Sequence, residues 1–456
     1  MGIVRRVDRR LLIAGAVAFL ATAACYLVFI LGHAMDRWLA PVDLYVYRLG
    51  GDVVAQLAPG YRAGVAAPLY DWPGYGLKFT YTPFAAVVFA VLALPAWGVV
   101  QAFSVIFNVL AFLATIWVTL GALGYRVSLA RVGSMLLLAA VLFWTEPVQR
   151  TLYLGQVELL LMALVMWDMC QPDRRSWKGA GVGLAAGIKL VPLIFIPYLL
   201  LTRRYRQAGV AAGTFLGTVL VGFAVRPADS RLWWLHGLFV KGSRTGFVGW
   251  EGNQSLQGLI TRLAGSIAAG QPIWLAVAAV TLVAGLLAAA VVARAGYPAA
   301  GIVTCALTAL LVSPISWDHH WVWIVPGVTI LACLGLRARG RVRWAWFTGA
   351  ALVTGLFGAW PGFLWGQPID LGAFSEGFIW APPNTPPGTF ARLGDLPSYA
   401  EYHWSGWQLV SGNLYVLTGI AVLVVIIVLA VRSRPARRRA ERAPAGADKP
   451  VPVVSR

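Results

Sequence analysis

An acidic residue follows the first long apolar stretch of the chain. Asp43 lies in the segment PVDLYVYRLGG (41–51), shortly after the apolar residues 11–32. If that stretch crosses a membrane, Asp43 lies at the boundary with water, where a carboxylate can take a proton from a hydroxyl group as a general base. Aspartate is also favoured at helix N-caps, so a structural role stays open.

A second polar segment, SPISWDHHW (313–321), holds two of the five histidines. Asp318 precedes His319 and His320 directly. Adjacent histidines do not share a helix face, and no HExxH motif or third ligand is spaced for zinc, so we expect no metal site. A hydrogen bond from histidine to a phosphate or hydroxyl group fits better. A structural histidine at the membrane interface is the alternative.

Four further polar residues lie in apolar surroundings: Arg150, Gln156, Glu158 and Lys189. Charges inside a bilayer are costly and normally face a cavity or a partner. Lys189 or Arg150 could therefore neutralise a phosphate. A structural Glu–Lys or Glu–Arg pair explains the same residues equally well.

Two neutral polar residues, Asn253 and Gln254, offer hydrogen bonds suited to sugar hydroxyls, although a loop turn also explains them. The glycine-rich residues 179–187 superficially resemble a nucleotide-binding loop. They lie within an apolar stretch with no preceding strand, so helix packing through small residues is the better interpretation. We therefore expect no nucleotide site.

Composition decides the class of protein that carries these residues. The chain has 456 residues, of which 59% are hydrophobic and 12% charged, and its mean hydropathy is +0.72. Soluble domains are about 45–50% apolar and about 25% charged. This excludes a soluble enzyme, a disordered chain and a collagen-like chain. The four cysteines show no CxxC spacing and fit buried small residues better than a disulfide or zinc framework.

The apolar stretches predict an all-α, polytopic membrane protein with about 12 transmembrane helices over residues 1–431. Beside 11–32, they lie near 83–97, 99–122, 132–145, 152–169, 179–201, 208–225, 272–294, 297–315, 321–336, 344–362 and 410–431.

The net charge of +19 is concentrated in short segments that flank these stretches. By the positive-inside rule, the basic segments and both termini are expected in the cytoplasm. Because these segments flank membrane spans, we do not interpret them as a nucleic-acid-binding surface. A strict count of twelve spans places the loops at 126–131 and 174–178 outside. The stretch 179–201 carries Lys189 and Pro192, so it could instead be two half-helices. The basic segments are 1–10, 203–206, 337–343 and 432–456.

Three long polar loops fall on the outer side, at about 33–82, 226–271 and 363–409. We therefore expect any chemistry on the extracytoplasmic face. Residues 432–456 are expected to form a basic, disordered cytoplasmic tail that contacts anionic lipid.

The order of these segments resembles that of polyprenol-phosphate-mannose-dependent α-(1→2)-mannosyltransferases, a GT-C class family known as glycosyltransferase family 87. The resemblance spans roughly residues 10–430. Thr82 stands where many relatives have proline, and the basic tail lies outside the family pattern. The motifs are the Asp43 segment, FTYTPF (79–84), GQVELL (155–160), GIKLVP (187–192), GNQS (252–255) and SWDHHW (316–321).

The resemblance implies a plasma-membrane enzyme without a cofactor. Its donor would be polyprenyl-phosphate mannose, and its acceptor a mannose 2-hydroxyl on a phosphatidylinositol mannoside-type glycolipid. Asp43 would be the general base of an inverting displacement, and His319 or His320 would assist catalysis. The phosphate leaves as a stable anion, so stabilising contacts matter more than an acid. The residues expected to bind the donor phosphate or sugar are Arg48, Lys189, Arg150, Asp318, Asn253 and Gln254.

Other functions fit the same residues. The enzyme could use another polyprenyl-phosphate sugar, or it could branch lipomannan or lipoarabinomannan. A lipid-linked-sugar flippase or transporter is less compatible with the sequence. Transporters of that kind are built from matching repeats with broken helices, and this sequence shows no evident matching repeat. The sequence leaves the acceptor and the oligomeric state open.

Overall fold

The computed structural model describes most of the chain outside several loops and the C-terminal end. The description below concerns residues 2–32, 41–56, 68–70, 78–240, 244, 246–359, 376–386 and 395–442.

The first half of the described chain is helical, with short interruptions. Its helices are α1 (Gly2–Gly32), α2 (Val42–Val54), α3 (Pro83–Phe89), α4 (Trp97–Ala122), α5 (Leu129–Leu142), α6 (Glu146–Leu154), α7 (Glu158–Met169), α8 (Ala180–Ile188), α9 (Phe195–Leu201) and α10 (Tyr205–Val225).

The second half continues in the same way, and the described residues contain isolated β-bridges but no named strand. Its helices are α11 (Pro227–Ser230), α12 (Leu256–Ala264), α13 (Ile267–Arg294), α14 (Pro298–Val312), α15 (Ile324–Arg337), α16 (Gly340–Leu356), α17 (Trp407–Ser411) and α18 (Leu414–Arg442).

Six helical segments of the described chain are long and apolar enough to cross a membrane. A seventh is possible if α6 and α7, which are bent by 118° relative to each other, form one span. The protein is therefore an all-helical, multi-pass membrane protein, as predicted, but the count of twelve spans is not confirmed. The six segments are Asp8–Val28, Trp97–Ala122, Tyr205–Val225, Ile267–Arg294, Asp318–Arg337 and Leu414–Arg432.

One difference from the predicted count concerns the loop between α4 and α5. The Arg337 guanidinium, at the end of α15, donates to the carbonyl of Leu123, at the end of α4. Arg131, in the first turn of α5, donates to the carbonyl of Tyr125 in this loop and to that of Trp117 in α4. The loop at 123–131 therefore lies beside the basic loop at 337–343 and not on the opposite face.

The loop between α7 and α8 shows the same difference. Asp173 forms an ion pair with Arg204, with 3.2 Å between Oδ2 and Nε. Arg294, at the end of α13, donates to the carbonyl of Leu201. The next helix, α14, starts beside this contact, and α15 returns from its far end to Arg337. We call the face formed by 123–131, 170–179, 202–206, 294–297 and 337–343 the basic face.

Helix α1 starts on the basic face as well. It runs beside α5 in the same direction, since Gly15 packs on Gly133 and the Thr22 hydroxyl donates to the carbonyl of Ala140 at 3.4 Å. A side chain at Gly15 would clash with the α5 backbone. The glycine pair thus lets the two helices approach closely, as small residues do between membrane helices.

The predicted interruption of the stretch 179–201 is confirmed. Helix α8 ends at Ile188, the next residue Lys189 has extended backbone angles, and a 3₁₀ turn leads into α9. The Asp168 carboxylate accepts hydrogen bonds from Gly179 N at 2.9 Å and Val182 N at 3.0 Å, which anchors the start of α8. Both ends of this hairpin lie at the basic face. Nine helical residues at about 1.5 Å each place Lys189 roughly 14 Å from that face.

Helix α18 continues through Arg442. The first part of the predicted disordered tail is therefore helical, and residues 443–456 lie outside the described residues. The predicted outer loops at 33–82 and 363–409 also fall partly outside them.

The position of these loops on one face can be tested by cysteine labelling. In a background with the four native cysteines replaced, Arg126→Cys, Arg174→Cys and Arg339→Cys are expected to react with a membrane-impermeant maleimide from the same side. His403→Cys, which belongs to the opposite end of the bundle, should react from the other side. Labelling of position 126 or 174 together with 403 would contradict this topology.

Candidate active site

Two breaks in the helices bring polar side chains to the same level of the bundle. The first separates α6 from α7, where Gly155 has a φ of +69°. Its hydrogen faces α2, because a Cβ there would lie 2.6 Å from the Cβ of Leu44. The second break is at Lys189, just before Pro192. Gln156 and Glu158 come from the first break and Lys189 from the second.

The Lys189 ammonium lies between an acid and a histidine. It forms an ion pair with Glu158 Oε1, and its Nζ is 2.8 Å from His320 Nε2. Since an ammonium only donates, His320 Nε2 accepts this bond and carries no proton. This confirms the Glu–Lys pair that the sequence left as an alternative.

His319 is oriented by the residue before it. Its Nδ1 is 3.0 Å from Asp318 Oδ1, which also accepts the His319 backbone N–H at 2.8 Å. Arg150 Nε lies 3.3 Å from the other oxygen of Asp318. Nε2 of His319 is buried and has no hydrogen-bond partner within the described residues. The ring therefore offers Nε2 to a ligand, while Asp318 holds its other nitrogen.

Asp43 joins this group from α2, which is not one of the candidate membrane spans. Its carboxylate accepts a hydrogen bond from the Gln156 side chain and interacts with the charges of His319, Glu158 and Lys189. Burial raises the pKa of Asp43, while His319, the Gln156 hydrogen bond and Lys189 oppose this rise. The half-buried carboxylate is thus a stronger base than a solvated one.

Three of these side chains could in principle hold a metal ion. Ligand atoms of Glu158, His319 and His320 lie within 4.8 Å of one another, so the fold supplies the third ligand that the spacing did not show. However, Lys189 already contacts both Glu158 and His320. An ammonium occupies the place next to these ligands, and a divalent cation would meet its repulsion. The geometry therefore favours the ammonium.

Behind Asp318 lies a second buried acid, Glu146. It accepts hydrogen bonds from Trp380 Nε1 at 3.2 Å and from the Tyr415 hydroxyl at 3.1 Å. The Arg150 guanidinium lies 4.5 Å from the centre of a Trp380 ring. Arg150 is thus committed to Asp318 and the Trp380 ring, and it acts on the site mainly by holding Asp318.

Arg48 lies apart from this group. Its guanidinium contacts the carbonyl of Ala93 at 3.5 Å and lies 5.7 Å from the Trp97 ring centre. Arg48 also interacts with the charge of Asp52. Five residues of helix separate it from Asp43, which turns it by roughly 140° from that side chain. The expected contact of Arg48 with the donor phosphate is not supported by this placement.

Asn253 is completely buried and bonded within the protein. Its Nδ2 donates to the carbonyls of Val248 and Pro314, at 2.8 and 3.1 Å, and its Oδ1 accepts the N–H of Ser316 at 2.9 Å.

Gln254 is equally buried and equally occupied. Its Nε2 donates to the carbonyls of Glu251 and Gly412, at 2.6 and 2.8 Å, and its Oε1 accepts the N–H of Tyr415 at 3.2 Å. Asn253 and Gln254 fasten the 246–255 loop to the 313–317 turn and to the start of α18, and this placement gives no support to the predicted sugar binding.

The structure thus gathers Asp43, Lys189, His319, His320 and Asp318, with Arg150 behind Asp318. Sequence reasoning missed the roles of Gln156, which bonds to Asp43, and of Glu146. Gln156 had one detectable signal, its position as an amide in an apolar stretch.

Fold and site together define the class: a multi-pass, all-helical membrane enzyme with an acid–base cluster held at two helix breaks. The model of glycosyltransferase family 87 matches residues 79–314. The chain belongs to this family.

Its relatives carry consistent names. The chain is 31% identical over 422 residues to a Mycobacterium tuberculosis protein named polyprenol-phosphate-mannose-dependent alpha-(1-2)-phosphatidylinositol mannoside mannosyltransferase, covering 89% of this chain and 88% of the relative. It is 35% identical over 335 residues to a Mycolicibacterium smegmatis protein named for the corresponding phosphatidylinositol pentamannoside reaction, covering 70% and 78%. No solved structure matches the chain.

The hydrogen bonds of Gln254 within the protein predict that its removal lowers stability without lowering donor affinity. Gln254→Ala leaves buried backbone groups without partners, at about 1–3 kcal/mol each. We expect a lower unfolding temperature in detergent and an unchanged KM for the donor at a temperature where the variant is folded. Gln171→Ala, at a partly exposed glutamine between α7 and α8, is the control. A raised KM with unchanged stability would restore the sugar-binding role.

Proposed function

We propose that this protein transfers mannose from polyprenyl-phosphate mannose to the 2-hydroxyl of a mannose on a phosphatidylinositol mannoside-type glycolipid. The bond formed is α-(1→2). The names of the relatives support the donor, the linkage and the acceptor class. The multi-pass fold suits two substrates that are both anchored in lipid.

Asp43 acts as the general base. Its carboxylate takes the proton of the acceptor 2-hydroxyl as that oxygen attacks the anomeric carbon and the bond to the donor phosphate breaks. A β-linked donor then gives an α-linked product by a single inverting displacement. The raised pKa of Asp43 brings its basicity closer to that required at neutral pH.

The leaving phosphate gains charge and needs donors in place before the bond breaks. Lys189 has three N–H groups, and its contacts with Glu158 and His320 account for two of them. The third is available to a phosphate oxygen. His319 is held at Nδ1 by Asp318, so its buried Nε2 is a further contact for the donor in the same cluster.

We assign the basic face to the cytoplasm, because short loops rich in Arg and Lys stay on that side. Both termini then lie in the cytoplasm, and Asp43 lies toward the extracytoplasmic side of the plasma membrane. A lipid-linked donor suits that side, because it travels within the membrane itself.

The observation that carries the proposal is the meeting of Asp43 with Lys189 and His319 in one cluster. In proteoliposomes with polyprenyl-phosphate mannose and a phosphatidylinositol mannoside, Asp43→Asn should lower kcat by at least about 10²-fold, the scale of general base catalysis. Donor binding should persist. The wild-type product should be cleaved by an α-(1→2)-specific mannosidase.

Asp52→Asn is the matched control, since Asp52 lies on the same helix but faces Arg48. It should retain near wild-type kcat. Equal transfer by wild type and Asp43→Asn would remove Asp43 from catalysis. Movement of the donor between leaflets without transfer would instead identify a flippase.

The role of Lys189 can be separated from its structural pairing. Lys189→Met alone leaves Glu158 as an unpaired buried charge, which destabilises a protein by about 3–5 kcal/mol. The double variant Lys189→Met/Glu158→Gln removes both charges and should stay folded. We expect its kcat to fall by about 10²–10³-fold at a near-normal unfolding temperature. Full activity of the folded double variant would exclude Lys189 as the phosphate contact.

A further inference from the structure

Beside Asp43, three polar side chains form a buried network. The Tyr47 hydroxyl donates to Gln156 Oε1 and lies 2.8 Å from the Tyr81 hydroxyl. The Tyr81 hydroxyl lies 3.3 Å from the same Oε1. The exposed fractions are 1% for Tyr47, 9% for Tyr81 and 4% for Gln156. The network has no part in the reaction as described above.

The network fixes which way the Gln156 amide points. With both hydroxyls gathered at Oε1, the NH₂ group is left for the Asp43 carboxylate, to which the Gln156 side chain donates. The reversed amide would direct its oxygen at a carboxylate, which can only accept when ionised. The tyrosines and the ionised acid therefore favour the same orientation.

The three residues come from separate elements that are packed rigidly together. Tyr47 lies on α2 one turn beyond Asp43, Tyr81 precedes α3, and Gln156 lies in the break between α6 and α7. The Tyr47 ring stacks on Phe89 at a centroid distance of 4.5 Å and meets Tyr81 edge-on at 5.0 Å. The Tyr81 ring centre lies 5.8 Å from Lys189 Nζ. The network thus links the helix of the base to the surroundings of Lys189.

We propose that Gln156 is a positioning residue that holds one oxygen of Asp43 so that the other faces the acceptor hydroxyl, and that Tyr47 and Tyr81 act through Gln156. This inference rests on the proposed role of Asp43. The segments GQVELL (155–160) and FTYTPF (79–84) then share one role, which is to orient the Asp43 carboxylate.

The first test is Gln156→Leu, which replaces the amide by an apolar group of similar size. Loss of a hydrogen bond to a charged group should lower kcat by roughly 10- to 100-fold, with a much smaller change in the KM for the donor. The hydrogen bond from Gln156 lowers the pKa of Asp43, so its removal raises that pKa. Because the base must be ionised, the acid limb of kcat/KM should move to higher pH.

Gln149→Leu is the matched control. Gln149 is a buried glutamine on α6 whose Nε2 donates to the carbonyl of Phe143 at 2.8 Å, away from Asp43. It should lower the unfolding temperature while leaving the acid limb in place. Gln156→Glu, which cannot donate when ionised, should shift the limb in the same direction as Gln156→Leu.

The second test is a double-mutant cycle. The pair Tyr47→Phe/Tyr81→Phe should lower kcat in the wild-type background and have no further effect in the Gln156→Leu background, because its action passes through the amide. Additive losses would overturn the role of the tyrosines. A Gln156→Leu variant with wild-type kcat and an unmoved acid limb would overturn the role of Gln156.

These failures differ from failure of the proposed function. If wild type transfers no mannose, the reaction itself is wrong. If wild type is active and Asp43→Asn is equally active, Gln156 has no base to position. Only an active wild type with an inactive Asp43→Asn makes the Gln156 results decisive, and unfolding temperatures of all variants separate misfolding from lost catalysis.

Discussion

Buried charge is the constraint on which the rest of this structure depends. An ammonium and a carboxylate within an apolar bundle are stable only as close partners, since loss of one leaves the other unpaired at a cost of about 3–5 kcal/mol. Lys189 and Glu158 meet this condition because both lie at helix breaks. An unbroken helix would direct these side chains by its own periodicity alone. The breaks let the backbone place them face to face, with His320 as a third partner.

The same break also receives the helix of the base. Gly155 offers α2 a surface without a side chain, so Leu44 can pack directly on it. Further along α2, Gly50 and Gly51 let Phe79 and the backbone of Phe89 approach in the same manner. These close contacts hold α2 against the α6–α7 break and against the segments that carry Phe79 and Phe89. Asp43 can bond to Gln156 only because that position is fixed.

The basic loops show how strongly charge governs topology. Asp173 alone gathers contacts from Lys178 and Arg204, and Arg337 closes the end of α4. The charged loops therefore share one face, whereas the strict count of twelve spans divides them between two faces. Hydropathy reflects only the length and composition of a stretch. The prediction from hydropathy therefore counted the hairpin of α8 and α9 as one membrane span. Interactions between loops distant in sequence revealed the difference.

The sequence by itself determined the membrane class, the all-helical fold, the family and the candidates Asp43, Lys189 and His319, because hydropathy, residue type and motif order are local properties. It could not place Arg48 away from Asp43, nor show that Asn253 and Gln254 use their hydrogen bonds within the protein. It also did not identify the hydrogen-bond partners of Gln156. Those outcomes were decided by tertiary structure, since each depends on which atoms, far apart in the chain, come within about 3 Å of one another.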